Sequence, residues 1–164
     1  MGATDPDGNF RIHNVYPGMY KILAVSPGPP YFLSSVRIGD SETVGQYVEL
    51  APGAVPVNLV FDSKGGSLRG TVKDCGSATV ALAPQDSGLQ EPQFIQTAVC
   101  REDGRFEMTN IRPGDYYVFA FDHWDGPLEF LSGLDQSLAT KAVAVRIGGG
   151  EVAAVDLRVT ARSP

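Results

Sequence analysis

Residues that usually carry catalysis or bind metals are scarce in this chain. Its 164 residues include two histidines, two cysteines and one tryptophan. The sequence has no GxSxG nucleophile elbow and no CxxC pair, and a zinc site would need three or four ligands at recognisable spacing. We therefore predict a protein that is not an enzyme and that needs no cofactor.

Positive charge and long apolar runs are also in short supply. Lysine and arginine together number 13 against 19 acidic residues, which gives a net charge of −6 and a pI near 4.8. An acidic surface repels phosphate backbones, so we expect no nucleic-acid partner. No run of about twenty apolar residues occurs, so we expect no membrane-spanning helix.

The two cysteines leave the redox state open. In an oxidising compartment Cys75 and Cys100 could pair, and elsewhere they would be free, half-buried thiols. Closing a loop of about 25 residues would stabilise the folded chain by roughly 3–4 kcal/mol.

Glycine and proline are abundant, with 19 and 12 residues. Without a collagen period, this excess indicates the many tight turns of an all-β fold. Apolar residues alternate with period two in segment after segment, which is typical of half-buried strands. The segments predicted as strands are residues 10–12, 19–25, 35–38, 47–50, 55–61, 68–72, 78–83, 94–99, 105–108, 116–121, 142–147 and 152–159. Residues 122–138 are ambiguous, and residues 128–138 have room for a short helical turn.

The chain also contains an internal repeat. Residues 7–25 align without gaps with residues 103–121, and eight of the nineteen positions are identical. The shared Asp-Gly pair predicts a hairpin turn, and the shared Pro-Gly pair predicts a type II turn with glycine at positive φ. We expect Phe10 and Phe106 to fill equivalent core positions. Unlike surroundings for this pair would mean that the duplication is illusory and would remove the functional interpretation built on it.

The pattern DGxF…PGxY in both halves, together with GSLRGTVKD at residues 66–74, resembles the carboxypeptidase regulatory-like domain family in its bacterial tandem-repeat form. The resemblance covers nearly the whole chain. It implies an all-β fold of two tandem antiparallel immunoglobulin-like sandwiches, related to the transthyretin-like and starch-binding-like folds. It also implies a secreted, periplasmic or cell-surface location, and it is specific for fold and not for function.

On this reading residues 1–64 form a partial module and residues 65–164 a complete one. The second module begins with three strands, near Leu68, Ala78 and Phe94, that have no counterpart in the first. A sandwich without them exposes an apolar face and an unpaired edge. We expect the chain to be the C-terminal part of a longer protein; otherwise another chain donates the missing strands, or both halves merge into one larger sandwich.

The function expected from these features is a structural, adhesive or protein-interaction module of a multidomain envelope or secreted protein. Its partners would be other domains of the same polypeptide or envelope proteins. One alternative is a carbohydrate-binding module in which Trp124, Tyr31, Asp122 and Asp125 contact a glycan. Another is the accessory domain of an enzyme whose catalytic part lies outside this sequence.

A weak calcium candidate lies near the N-terminus. Asp5, Asp7 and Asn9 place oxygen atoms at alternate positions, as calcium loops do, but the closing glutamate of a twelve-residue loop is missing. The equivalent stretch in the second half has arginines at positions 101 and 105. A plain turn explains both stretches, so we favour the turn.

Overall fold

The prediction of an all-β protein is confirmed. The computed structural model describes residues 3–53, 56–122 and 141–160, in which two single-turn 3₁₀ helices, Ser87–Leu89 and Pro92–Phe94, accompany the strands. The strands are β1 (Gly18–Lys21), β2 (Phe32–Ile38), β3 (Ser41–Thr43), β4 (Tyr47–Leu50), β5 (Val57–Asp62), β6 (Gly66–Lys73), β7 (Thr79–Pro84), β8 (Gln96–Val99), β9 (Arg105–Ile111), β10 (Gly114–Phe121), β11 (Val143–Ile147) and β12 (Val152–Thr160).

Most predicted strands are present, with bounds shifted by a few residues. Two predictions in the first half are wrong in part. Residues 10–12 form no strand and make one isolated bridge, between Phe10 and Thr4. The strand predicted over residues 19–25 ends at Lys21. The helical turn predicted within residues 128–138 lies outside the described residues.

The second half is a two-layer sandwich. In one layer β6 pairs antiparallel with β9 and parallel with β12; in the other β10 pairs antiparallel with β7 and β11, and β8 flanks β7. The end of β12 joins the layers because Val159 and Thr160 pair with Ala120 and Phe121. Alternation sends one side of each strand into a shared core, whose members include Leu68, Val72, Val80, Leu82, Phe106, Val118, Ile147 and Leu157.

A disulfide closes the second half. Cys75 follows β6 and Cys100 follows β8, and the two are joined across a sequence separation of 25. Both belong to the main core cluster. The covalent link therefore reinforces the part of the molecule that already has the larger core.

The first half is organised differently. Its strands form a two-stranded sheet of β1 and β4 and a three-stranded sheet in the order β3, β2, β5. Leu33 and Val36 are its buried apolar residues within the described ranges. In the described residues, every buried member of the two core clusters is Leu68 or a residue after it, so both clusters belong to the second half.

The Asp-Gly pairs form the same turn in both halves. Gly8 and Gly104 have φ of 84° and 80°, and each donates its N–H to the carbonyl oxygen three residues earlier, that of Asp5 or Arg101, at 3.0 and 2.8 Å. In the second half this turn connects β8 to β9, which do not pair with each other. The chain crosses there from one layer to the other, so the hairpin prediction is wrong for the second half. In the first half the turn lies between Thr4 and Phe10, which form an isolated antiparallel bridge.

The type II turns predicted at the Pro-Gly pairs are also wrong. Gly18 and Gly114 are the first residues of β1 and β10, and Gly18 has an almost extended φ of 157°. The positive φ falls instead on Asn14 and Asn110, at 60° and 58°. Asparagine tolerates this left-handed conformation because its short polar side chain can bond locally.

Candidate functional site

The two halves share details of backbone geometry that their sequences only suggest. β1 pairs with β4 from Gly18 opposite Leu50 to Lys21 opposite Tyr47. β10 pairs with β11 in the same way, from Gly114 opposite Ile147 onward. The aligned strands therefore have one common register.

A tyrosine bond also recurs at aligned positions. The hydroxyl of Tyr20 donates to the carbonyl oxygen of Tyr16 at 2.8 Å, and that of Tyr116 donates to the carbonyl oxygen of Arg112 at 2.6 Å. Each bond reaches back four residues over the Pro-Gly pair. Burial raises the pKa of Tyr116 to about 12, so the neutral hydroxyl is available as a donor through the physiological range.

Burial, in contrast, differs sharply between the halves. Phe106 is 3% exposed, whereas its counterpart Phe10 is only partly buried, so the expectation of equivalent core positions is wrong. The difference extends along the aligned segment, to apolar residues of the first half whose counterparts are buried. The exposed members, which we call the acceptor face, are Ile12 (52%), Val15 (44%), Leu23 (57%) and Val25 (94%). Their counterparts are Met108 (5%), Ile111 (1%), Phe119 (3%) and Phe121 (4%).

The residues that cover this segment in the second half include members of β6 and β7, which have no counterpart among the described strands of the first half. Met108 and Ile111 pack in the main cluster with Leu68 and Val72 of β6. In the second cluster, Phe119 and Phe121 are joined by two alanines of β7. The acceptor face is exposed because nothing equivalent to β6 and β7 lies over it in the described residues.

An open strand edge accompanies this face. β10 pairs with β11 along one edge and with β7 along the other, where the register runs from Tyr116 opposite Pro84 to Phe121 opposite Thr79. β1 has the counterpart of β11, which is β4, but has no second partner within the described ranges. Its strand ends at Lys21, where pairing with β4 ends.

A second candidate site is a cleft of about 150 Å³ where the halves meet. Two side chains of the second half bond to backbone of the first: Nδ2 of Asn110 donates to the carbonyl oxygen of Tyr31 at 3.0 Å, and Nη2 of Arg112 donates to that of Ser34 at 3.1 Å. Lys21 Nζ lies 2.6 Å from Glu91 Oε1. The polar lining is mostly amide and guanidinium: Ser26, Gln93, Gln96, Asn110 and Arg112.

Groups in the cleft retain unused hydrogen-bonding capacity. Asn110 Oδ1 and Arg112 Nη1 are buried without a partner within the described residues. The Tyr31 side chain lines the cleft and the residue is 46% exposed. Such a mixture of an aromatic ring with convergent donors and acceptors suits a small polar ligand. The sequence did not single out Gln93, Gln96 or Arg112 as site residues, because the segments that line the cleft are far apart in the chain and meet only when it folds.

Of the residues predicted to bind carbohydrate, Tyr31 and Asp122 lie within the described ranges, and they lie apart. Tyr31 lies in the cleft, whereas Asp122 is exposed just beyond the far end of β10. Asp122 lies six positions along the chain from the cleft residue Tyr116, a span of roughly 20 Å in extended conformation. Trp124 and Asp125 lie outside the described residues.

The calcium candidate is occupied by its own turn. Oδ1 of Asp5 accepts the backbone N–H groups of Asp7 and Asn9 at 3.0 and 2.8 Å, and Oδ2 accepts from the Asn9 side chain. The bond from the Asn9 backbone, above all, lowers the pKa of Asp5. Across the described ranges, no group of three or more His, Cys, Asp or Glu side chains is placed to hold a metal ion.

The strands define an all-β protein with a sandwich-like fold and a polar cleft where its halves meet. No family model matches the chain. It is 26% identical over 128 residues to colossin-A of Dictyostelium discoideum, an alignment covering 70% of this chain and 1% of that protein. The chain therefore spans about one hundredth of this curated relative's length. Within the described ranges, no helix has the length and apolarity that crossing a membrane requires.

Solved structures with a similar arrangement are distant. PA1324 of Pseudomonas aeruginosa, a protein proposed to bind carbohydrate, matches with a TM-score of 0.39 and 15% identity, over 58% of this chain and 88% of its own. A streptococcal ancillary pilin matches with a TM-score of 0.38 and 21% identity, over 90% and 43%. The minor pilin GBS52 of Streptococcus agalactiae gives 0.36 and 12%, over 72% and 59%. Likeness at this level is too weak to support an argument about function.

Proposed function

We propose that the chain is a non-catalytic adhesive or protein-interaction module of a multidomain secreted or cell-surface protein. It is built from two copies of one carboxypeptidase regulatory-like unit, residues 1–64 and 65–164, of which the first lacks its opening strands. The observation that carries the proposal is the acceptor face: Val25 is 94% exposed where Phe121 is 4% exposed.

Three matched features support the duplication. The Asp-Gly turn, the left-handed asparagine and the tyrosine bond over Pro-Gly all recur at aligned positions. These are backbone features that two unrelated segments would share only by coincidence. The unequal burial of Phe10 and Phe106 counts against a duplication; we attribute it to the strands that pack on Phe106 and have no counterpart over Phe10 in the described residues.

The disulfide supports the location. Disulfides form and persist in oxidising compartments, such as the cell exterior, and are rare in the cytosol. The pair joining Cys75 and Cys100 lies in the core of the second half. A protein that depends on this link is suited to a secreted or surface setting.

The acceptor face supports an interaction role. Exposed apolar side chains whose counterparts are buried offer surface for association, and an unpaired strand edge offers its N–H and C=O groups to an added strand. The strands that cover this face would come from the same polypeptide or from another chain. Adhesion or assembly would follow from the interaction surfaces of such a module, without chemistry at any side chain.

The test is to supply the missing strands. A copy of residues 65–99, fused through a Gly-Ser linker ahead of residue 1 of the full chain, should slow amide hydrogen exchange in residues 10–25 by at least tenfold. It should also abolish binding of an apolar dye to the acceptor face. The matched control is the same fusion with the copied strand residues scrambled. Unchanged exchange with the unscrambled fusion would overturn the proposal.

The cleft favours a second candidate function, carbohydrate binding. An exposed tyrosine ring can stack on a sugar, and amides with a guanidinium can bond its hydroxyls. A glycan array with the wild type, Tyr31→Ala and Trp124→Ala would test it. Selective loss of a wild-type signal in Tyr31→Ala supports the cleft, loss in Trp124→Ala alone supports the segment after β10, and no wild-type signal removes this candidate.

A further inference from the structure

The cleft between the halves is a positively charged site in an acidic protein. The chain has a net charge of −6, yet none of the described residues that line the cleft is acidic, and one of them is Arg112. Arginine keeps its positive charge throughout the physiological pH range. Salt screens charges on the rest of the surface beyond about 8 Å, so the local charge decides which ligands the cleft attracts.

Arg112 has no acidic partner in the part of the chain that the structure describes. The ion pairs found there join Lys21 to Glu91, Arg37 to Glu42 and Arg105 to Asp103. Arg112 is partly buried; its Nη2 donates to the Ser34 carbonyl oxygen at 3.1 Å, and its Nη1 is buried without a partner among the same residues. A guanidinium has five N–H donors, and one that has lost hydration needs an anion or more acceptors to compensate.

Two acidic residues lie close to the cleft along the chain, and neither serves Arg112. The Glu91 carboxylate is engaged by Lys21 Nζ at 2.6 Å. Asp115 precedes the cleft residue Tyr116 in β10 and is exposed. Successive side chains of a strand point to opposite faces, so Asp115 points away from the face that Tyr116 occupies. The charge of Arg112 is therefore left for a ligand to balance.

We infer that the cleft binds the carboxylate of a small hydroxylated ligand, with the Arg112 guanidinium as its charged contact. The inference rests on the second candidate function proposed above, and it narrows the ligand to an acidic sugar or a free hydroxy acid. The cleft volume of about 150 Å³ is below the ~300–1,000 Å³ of sites for drug-sized ligands. The bound part is accordingly small, of the order of one sugar ring.

The other lining groups suit the hydroxyls and the carbon skeleton of such a ligand. Gln93 is exposed at the cleft, and its side chain makes no hydrogen bond to a described residue. An amide both donates and accepts, as a hydroxyl does. The ring of Tyr31, a residue that is 46% exposed, offers an apolar surface beside these polar groups.

The experiment measures binding of D-glucuronate, D-glucose and lactate to the full chain by isothermal titration calorimetry at constant ionic strength. Glucuronate and glucose differ only in the carboxylate, and lactate is a hydroxy acid without a sugar ring. We expect glucuronate to bind about tenfold more tightly than glucose, because hydrogen bonds between charged groups are stronger than neutral ones.

Three variants assign the preference to the cleft. Arg112→Gln should abolish the preference for glucuronate over glucose. Because that variant also changes the bond to Ser34, a second one, Gln93→Glu, adds a negative charge at an exposed position without removing a hydrogen bond; it should lower the preference about tenfold by charge repulsion. The control Arg37→Gln changes the net charge by the same one unit at an exposed ion pair outside the cleft and should leave the preference unchanged.

Equal affinities of the wild type for glucuronate and glucose would overturn the carboxylate inference and leave the cleft as a site for neutral sugars. A preference that survives both Arg112→Gln and Gln93→Glu would overturn it as well. No binding of any probe at millimolar concentration would remove the inference together with the second candidate function, while the acceptor-face proposal has its own test. Lactate binding as tight as that of glucuronate would support the carboxylate contact and identify a free hydroxy acid as the ligand; weaker lactate binding would support an acidic sugar.

Discussion

The two halves of this molecule show how far a local sequence pattern depends on its neighbours. Residues 7–25 and 103–121 share turns, asparagine conformation and strand register. Yet β10 is an eight-residue strand buried on both sides, and β1 is a four-residue strand with exposed flanks. Turns form from bonds within a few residues, whereas strands and cores need partners from elsewhere. Within this single chain, the two halves therefore separate what local sequence determines, the turns, from what tertiary partners determine, the strand length and the burial.

The largest expected effect comes from the paired phenylalanines. Phe106→Ala should lower the free energy of unfolding of the second half by about 3–5 kcal/mol, because it empties a buried site. Phe10→Ala should cost no more than about 1 kcal/mol, because the ring is only partly buried. Urea denaturation of both variants measures the difference. Equal costs would mean that the first half has a core of its own and would break the comparison.

The disulfide gives the next largest effect. Replacing Cys75 and Cys100 together by alanine should destabilise the second half by roughly 3–4 kcal/mol, through the entropy gained by the unfolded chain. Reduced wild-type protein should unfold at nearly the same denaturant concentration as the double variant. Hydrogen exchange in residues 32–50 should not change. If the first half loosened to the same extent, the two halves would be one cooperative unit.

The hydrogen bonds of Tyr20 and Tyr116 allow the two halves to be compared through a smaller change in stability. Tyr116→Phe should cost about 1 kcal/mol, since it leaves the partly buried carbonyl of Arg112 without its partner. Tyr20→Phe should cost a few tenths of a kcal/mol, because water reaches its exposed partner, the Tyr16 carbonyl. Chemical denaturation again provides the measurement, and a larger loss for Tyr20→Phe would contradict the assigned burial.

The same residue predicts a pH dependence. Burial raises the pKa of Tyr116 from 10.0 to about 12, so the folded state holds this proton more tightly than the unfolded state. Its contribution is complete below pH 10 and is lost as the pH rises from 10 toward 12. The stability difference between wild type and Tyr116→Phe should shrink over this range. A difference that stays constant from pH 9 to 12 would show that Tyr116 ionises in both states alike.

The smallest effect is expected on the acceptor face. Leu23→Ser with Val25→Ser should change the stability of the chain by less than about 0.5 kcal/mol, as substitutions of exposed residues usually do. In the fusion carrying the missing strands, the same pair should cost several times more. Thermal unfolding of the four proteins gives the comparison. A large cost in the unfused chain would show that the face is already covered.

Alternation of apolar residues was enough to predict the fold class and the strands of the second half, because each of those strands has the partners that the pattern presupposes. The same pattern predicted a strand over residues 19–25, which stops at Lys21 because β4 extends no further. The Pro-Gly pairs misled for a local reason: the strained residue of each turn is the asparagine three positions earlier. Amino-acid composition does not indicate which residue of the turn takes the positive φ.

The cleft was beyond reach of the sequence for a different reason. Its cross-half bonds join residues 79 and 78 positions apart, Asn110 to Tyr31 and Arg112 to Ser34. Both acceptors are backbone carbonyls, which every residue has, so no pairing of side-chain types marks the contact. Of the residues chosen from the sequence as carbohydrate ligands, Tyr31 alone lies in the cleft among the described residues.

The link between Cys75 and Cys100 also bears on how the chain would respond to a pulling force. It removes the 25-residue separation between them from the length that unfolding can release, a saving of about 80–90 Å of extended chain. Tension applied along the polypeptide would extend the first half and its junction to their full contour length. The second half would extend by less, because the disulfide keeps the segment between the two cysteines from lengthening. The two halves would therefore add unequal lengths as they unfold. Reduction of the disulfide would let the segment between the cysteines extend as well.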